Sequence, residues 1–152
     1  MTPSATGSVA RQIVSTRDLE SSVVSGRHVL TQTHSFHHRL LRSHGLVDTP
    51  DNLVLLSGTG TTGDHGWVHA HVKLAKCLGL IVPSWAAPAD WPIYRRDPYG
   101  VGWDWFLQGT DGQLTWCADG ADRISALLGE QIDFTHVLAQ YRQLVRSERG
   151  AA

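Results

Sequence analysis

The sequence predicts a single α+β domain, and three observations predict it. Short apolar runs of strand length, such as "NLVLL" at 52–56, end at Ser-Gly too soon for a helix. A stretch opening at Asp64 keeps apolar residues at helical spacing until Gly79. "GWDWFLQ" and "QLTWCA" flank the turn "TDG", and Asp-Gly at such a tip marks a hairpin. The chain of 152 residues can bury a core without staples, is 41% apolar and 18% charged, and has no internal repeat or dividing linker. Residues 1–152 therefore read as one domain.

Taken in chain order, residues 1–10 are small and polar and predict a frayed end, with a short helix around Thr16–Val24. "HVLTQTHSFHH" alternates loosely and reads as a strand ending near His38. "RSHGLVDTPDN" is a loop, punctuated by Gly, Pro, Asp and Asn, and "NLVLL" is the next strand. After the flexible "SGTGTTG", Asp64 is a good N-cap for a helix from His65 to about Leu78. Gly79 then stands where a left-handed C-terminal cap is expected. Trp67, His71, Leu74 and Leu78 recur on the face that should be buried. "LIVPSW" reads as a short strand or extended link, the hairpin follows, and "FTHVLAQYRQLVRSER" closes the chain as an amphipathic helix.

The bulk properties exclude several classes. A formal net charge of −1 gives no global basic signature, so any nucleic-acid contact must use a local patch. No apolar run reaches membrane-spanning length, and "MTPSATGSVA" lacks the apolar core of a secretory signal. Cys77 and Cys117 are isolated, which suggests neither a disulfide framework nor a cysteine zinc site, and fits a reducing, cytoplasmic setting. The outlier is histidine, with nine copies.

Four of these are placed to converge. His65 and His69 are four apart on the predicted helix, so both project from one face and can take two positions on one metal ion. The residues between them are Gly, Trp and Val, so the glutamate base of the HExxH class is absent. The adjacent His37 and His38 end a strand, where neighbouring side chains point to opposite faces. One can complete a three-ligand site while the other faces a substrate and takes a proton from water. Asn52, opening the second strand, could hydrogen-bond across the loop and hold that ring.

The order His-His, Asn, then HxxxH on a helix resembles the ββα-metal, or HNH, endonuclease motif. The likeness is to colicin-type DNases and to small phage-type HNH proteins, the latter through "HHR…DNLVLLSGTGTTGDHGWVHAH", and it covers about residues 34–82. The resemblance implies a ββα-metal centre elaborated by an N-terminal segment, a hairpin and a C-terminal helix. It implies His37, His65 and His69 as metal ligands, His38 as general base and Asn52 as the middle residue of the motif. Families differ in how many protein atoms bind the metal, which leaves open a phosphate contact for either helical histidine. The implied activity is metal-dependent hydrolysis of DNA phosphodiester bonds in a phage or other mobile element, with genome packaging beside the terminase as a setting. Imidazole ligands suit Zn or Ni, whereas the family commonly works with Mg or Mn, so the ion stays open. Where many relatives carry zinc-knuckle cysteines, this chain has Ser57 and Asp64.

Arg39 and Arg42 directly follow the base, and Lys73 and Lys76 continue the helix beyond His69; together they predict a phosphate-binding rim, with Arg95 and Arg96 as outliers. His28, His34, His44, His71 and His136 read as structural or incidental, His34 being on the same strand as the pair. The tryptophans from Trp85 to Trp116 read as core. "GTGTTGDHG" lacks the Gly-Lys-Ser/Thr ending of a phosphate-binding loop. A DNA- or protein-binding module that keeps the fold without cutting is the alternative function, and a closed four-ligand structural zinc site is a third.

Overall fold

The computed structural model describes residues 7–41 and 47–150 of an α+β fold. Helix α1 spans Gly7–Arg17, and the strands β1 (His34–His38) and β2 (Leu53–Ser57) pair antiparallel. Helices α2 (Gly63–Ala70) and α3 (Val72–Cys77) follow, then β3 (Ile93–Arg96), β4 (Trp103–Gln108) and β5 (Leu114–Trp116) form a second antiparallel sheet. Helices α4 (Gly120–Leu128) and α5 (Phe134–Gly150) complete it.

All five residues of β2 are buried. Val54 and Leu56 belong to the main core, which reaches from α2 and α3 to the second sheet and α5, whereas Leu53 packs with Ala10 and Val14 of α1. A strand covered on both faces is a continuous apolar run, and that is why "LVLL" lacks alternation.

The N-terminal expectation was misplaced. The helix lies at Gly7–Arg17, not at Thr16–Val24, because Ala10, Val14 and Arg17 form its buried stripe. Leu19 and Glu20, in left-handed conformation, end it. Arg17 and Arg95 both bond the buried carboxylate of Asp18, at 2.7 Å each, and Asp18 also accepts from the Leu55 amide. This buried network joins α1, β2 and β3.

The predicted helix over 65–78 breaks at His71, whose backbone is non-helical (φ −125°, ψ 55°). Its ring stacks on Trp67 and its Nδ1–H donates to the Trp67 carbonyl at 2.9 Å. The N-cap is Thr62; Asp64 is two residues further, in the first turn, buried, accepting from Ser22 Oγ and Ser25 Oγ at 2.6 and 2.5 Å. Gly79 is left-handed as expected (φ +71°), and a Cβ there would meet the Pro92 carbonyl oxygen at 1.9 Å.

The hairpin and the C-terminal helix are where the sequence puts them. "LIVPSW" forms no strand, while β3 and α4 had no counterpart in the sequence reading. Trp67, Trp91 and Trp105 are buried, but Trp85 and Trp116 are exposed, so the tryptophans are only partly core. No helix among the described residues is long and apolar enough to cross a membrane.

Candidate metal centre

Strand alternation separates the adjacent histidines. Ser35 and His37 share the face of β1 that meets α2, while Phe36 and His38 face the side of α1. Both faces open on one cleft of about 400 Å³, lined by Ser35 to His38, Leu41, His65 and His69.

His37, His65 and His69 converge, each offering a nitrogen within 4.8 Å of the others. Their rings stand edge-on or tilted, with centroids 5.1, 5.5 and 4.8 Å apart, rather than stacked. The second nitrogen of two of them is already committed. His37 Nε2 lies 2.7 Å from the Leu80 carbonyl oxygen, which can only accept, so Nε2 carries the proton and Nδ1 keeps its lone pair. Ser35 donates its hydroxyl hydrogen to the Gly58 carbonyl at 2.6 Å and therefore accepts from His65 Nδ1–H at 2.7 Å. That leaves the lone pair on His65 Nε2, which is 3.0 Å from His69 Nε2. Nitrogens bound about 2.0–2.1 Å from one ion lie roughly this far apart.

Charge points the same way. Burial pushes the His37 pKa down to about 3, with the His65 and His69 charges as lesser contributions, against the raising effect of the Leu80 carbonyl. Burial first, then His69 and His38, lowers His65 to about 4. Both rings are neutral at pH 7, the form a metal needs. Three imidazoles, two of them with the outer nitrogen held by a carbonyl or a hydroxyl, fit a divalent ion with open coordination positions.

His38 stands beside this set but outside it. Its Nε2 is 2.5 Å from Asp48 Oδ1, so Nε2–H donates to the carboxylate and Nδ1 is left to take a proton. Arg11 of α1 reaches the other oxygen of Asp48 at 3.4 Å and lies over the Phe36 ring. Asn52 does not touch the His38 ring. Its Oδ1 accepts from the Leu40 amide at 2.7 Å and its Nδ2 donates to the Val47 carbonyl at 2.8 Å, tying the two ends of the β1–β2 loop.

The basic rim is not assembled as expected. Arg39 is fully buried; its guanidinium donates to the carbonyls of Gly79, Asp51, Pro88 and Trp91, and burial lowers its pKa to about 9. It braces the chain and cannot reach a phosphate from there. Lys73 and Lys76 are exposed on α3, beyond the break at His71; neither lines the histidine cleft, and Lys73 lines a groove with His136 and Gln140 of α5. Arg42 and His44 lie outside the described residues. His34 is exposed, bonds the Gln32 carbonyl, and is not part of the cluster.

Asp48, Ser35 and Arg11 were not foreseen. Asp48 sits in a loop with Asp51, and spacing alone gave no reason to prefer it. Ser35 was legible in principle, two residues before His37 on the same strand face. Ser57 and Asp64, the residues in the knuckle-cysteine positions, do meet: the Asp64 amide donates to Ser57 Oγ at 3.1 Å and pins the glycine loop without metal. No protein-family model matches this chain, and neither a curated protein nor a solved structure shows significant similarity to it.

Proposed function

We propose that this chain is a metal-dependent endonuclease of the HNH type that hydrolyses DNA phosphodiester bonds. The observation that carries the reading is one cleft holding two different kinds of histidine. Three bring ring nitrogens to a common point, with the tautomers of His37 and His65 fixed by Leu80 and Ser35; the fourth is bonded to a carboxylate through one nitrogen and keeps the other for a proton. A structural site has no use for the fourth.

In this reading His37, His65 and His69 hold the ion in a ββα-metal centre, and Leu80 and Ser35 fix which nitrogens face it. A divalent ion held there supplies Lewis-acid stabilisation of charge on a phosphate oxygen. His38 takes the proton from the attacking water at Nδ1, and Asp48 orients the ring. Arg11, beside Phe36 on the cleft wall, takes over the phosphate-contact role that Arg39 is too buried to play. Asn52 keeps the loop between Leu40 and Val47 closed, so Asp48 stays within reach of His38. DNA as the substrate, like the choice of Mg, Mn, Ni or Zn, rests on the family resemblance.

Incubating supercoiled plasmid with Mg, Mn, Ni and Zn in turn, and with chelator, tests this. Open-circular or linear product with at least one metal and none with chelator is the expected result. A folded, metal-bound chain that cleaves under no condition would leave the non-cutting binding module as the better reading.

A further inference from the structure

Register separates the two arginines of "IYRR". Arg95 points into the core and bonds Asp18 and Gln108. Arg96 stands directly opposite Trp103 and two residues from Tyr94. Residues opposite each other in a ladder, and residues two apart on a strand, share a face. Arg96 therefore lies on the sheet face that carries Tyr94 and Trp103.

Those two rings line a cavity of about 230 Å³ with Tyr141, Arg142, Val145 and Arg146 of α5. Two polar atoms of the aromatic floor are turned inward: Trp103 Nε1–H and the Tyr141 hydroxyl both donate to the Val24 carbonyl, at 2.8 and 3.3 Å. Tyr94 and Val145 complete the largely apolar lining. Arg142 and Arg146 are exposed, one helical turn apart, and neither they nor Arg96 form an ion pair among the described residues. Arg142 and Arg146 at the rim of this hollow, with Arg96 on the same sheet face, gather positive charge without an ion pair among the described residues. The volume is below the roughly 300–1,000 Å³ of pockets that enclose a drug-sized ligand, and suits one planar ring.

We propose that this cavity binds one nucleotide unit, with the base against Trp103 and Tyr94 and the phosphate on Arg142 and Arg146. Arg96 adds charge at the margin. The site is separate from the histidine cleft. Tyr141 packs on Trp67, with ring centroids 5.6 Å apart, and Trp67 leaves α2 on the side opposite His65 and His69. The proposal does not depend on the nuclease reading and can hold if that fails.

The test is titration of the full chain in chelator, where the metal cleft is silent, reading the Trp103 indole N–H resonance, assigned with Trp103→Phe. The probes are deoxyadenosine monophosphate, adenosine, inorganic phosphate and indole-3-acetate. The nucleotide should saturate the shift at roughly tenfold lower concentration than each of the other three, because ring and phosphate contacts add. The double variant Arg142→Gln/Arg146→Gln should lose roughly that factor with its melting temperature unchanged, since both side chains are exposed. No saturable shift, or undiminished binding by the double variant, would overturn the site. Equal binding of inorganic phosphate would reduce it to an anion patch, and equal binding of indole-3-acetate would make it a ring-carboxylate site; either result overturns the nucleotide assignment.

Discussion

Asp48 Oδ1 accepts a hydrogen bond from His38 Nε2 at 2.5 Å, and the carboxylate fixes the tautomer of the one cleft histidine that has no place in the metal set. Asp48→Asn keeps an acceptor of similar shape but removes the negative charge beside the ring. The turnover number should fall by about 10²-fold with metal affinity unchanged. Steady-state cleavage beside calorimetric metal titration separates the two effects, and a parallel loss of metal affinity would mean that Asp48 acts on the metal set instead.

Ser35 is predicted to matter for metal without touching it. Its hydroxyl accepts from His65 Nδ1–H and so leaves the lone pair on Nε2. Ser35→Ala should weaken Zn or Ni binding by about 10- to 100-fold, the usual cost of losing an outer partner. His65→Ala removes the ligand itself and should weaken binding further. Unchanged affinity in Ser35→Ala would contradict the assigned tautomer.

The metal-free protein should lose stability in acid. His37 and His65 titrate near 3 and 4 when folded but near 6.5 when unfolded, so below pH 6.5 the unfolded chain holds more protons. Stability from these rings is whole above pH 6.5 and drains away as pH falls toward 3, by up to about 1.4 kcal/mol per unit for the buried His37 and less for half-exposed His65. Thermal melts in chelator at pH 7.5, 6 and 5 should fall in sequence, and His37→Phe should flatten the trend. Zn should raise the pH 7.5 midpoint in a concentration-dependent way.

Arg11 should play the phosphate-contact role that the sequence suggested for Arg39. Arg39→Met strands buried carbonyl partners and should destabilise the fold by about 3–5 kcal/mol in urea melts. Arg11→Ala, at a half-exposed side chain, should barely move stability but raise KM several-fold at near-constant kcat. It should also flatten the salt dependence of DNA binding by about one phosphate contact. A stable Arg39→Met chain with weakened DNA binding would reverse this assignment.

The sequence carried the centre further than its surroundings. Local spacing determined which side chains meet: alternation split His37 from His38, and a four-residue step put His65 beside His69. Those are properties of a strand end and a single helix, and they survive whatever packs around them. Arg39 was misjudged because adjacency to His38 says nothing about burial, and the carbonyls it braces come from residues 51, 79, 88, 91 and 92. Lys73 and Lys76 lie beyond a helix break at His71, whose ring bonds back to the Trp67 carbonyl, and helical periodicity does not reveal that break. Asn52 was placed on the right loop with the wrong partner. The pairing of Asp48 with His38 depends on loop geometry and could not be read from spacing.

The most direct test of the central claim is plasmid cleavage by the native chain and by His38→Ala, each shown to bind the same metal with the same affinity. The account predicts that the native chain cuts only with metal and that His38→Ala, metal-loaded and folded, is slower by 10² or more, on the order expected for loss of a general base. Cleavage by His38→Ala at the native rate would contradict it, and the proton would then have to leave by another route.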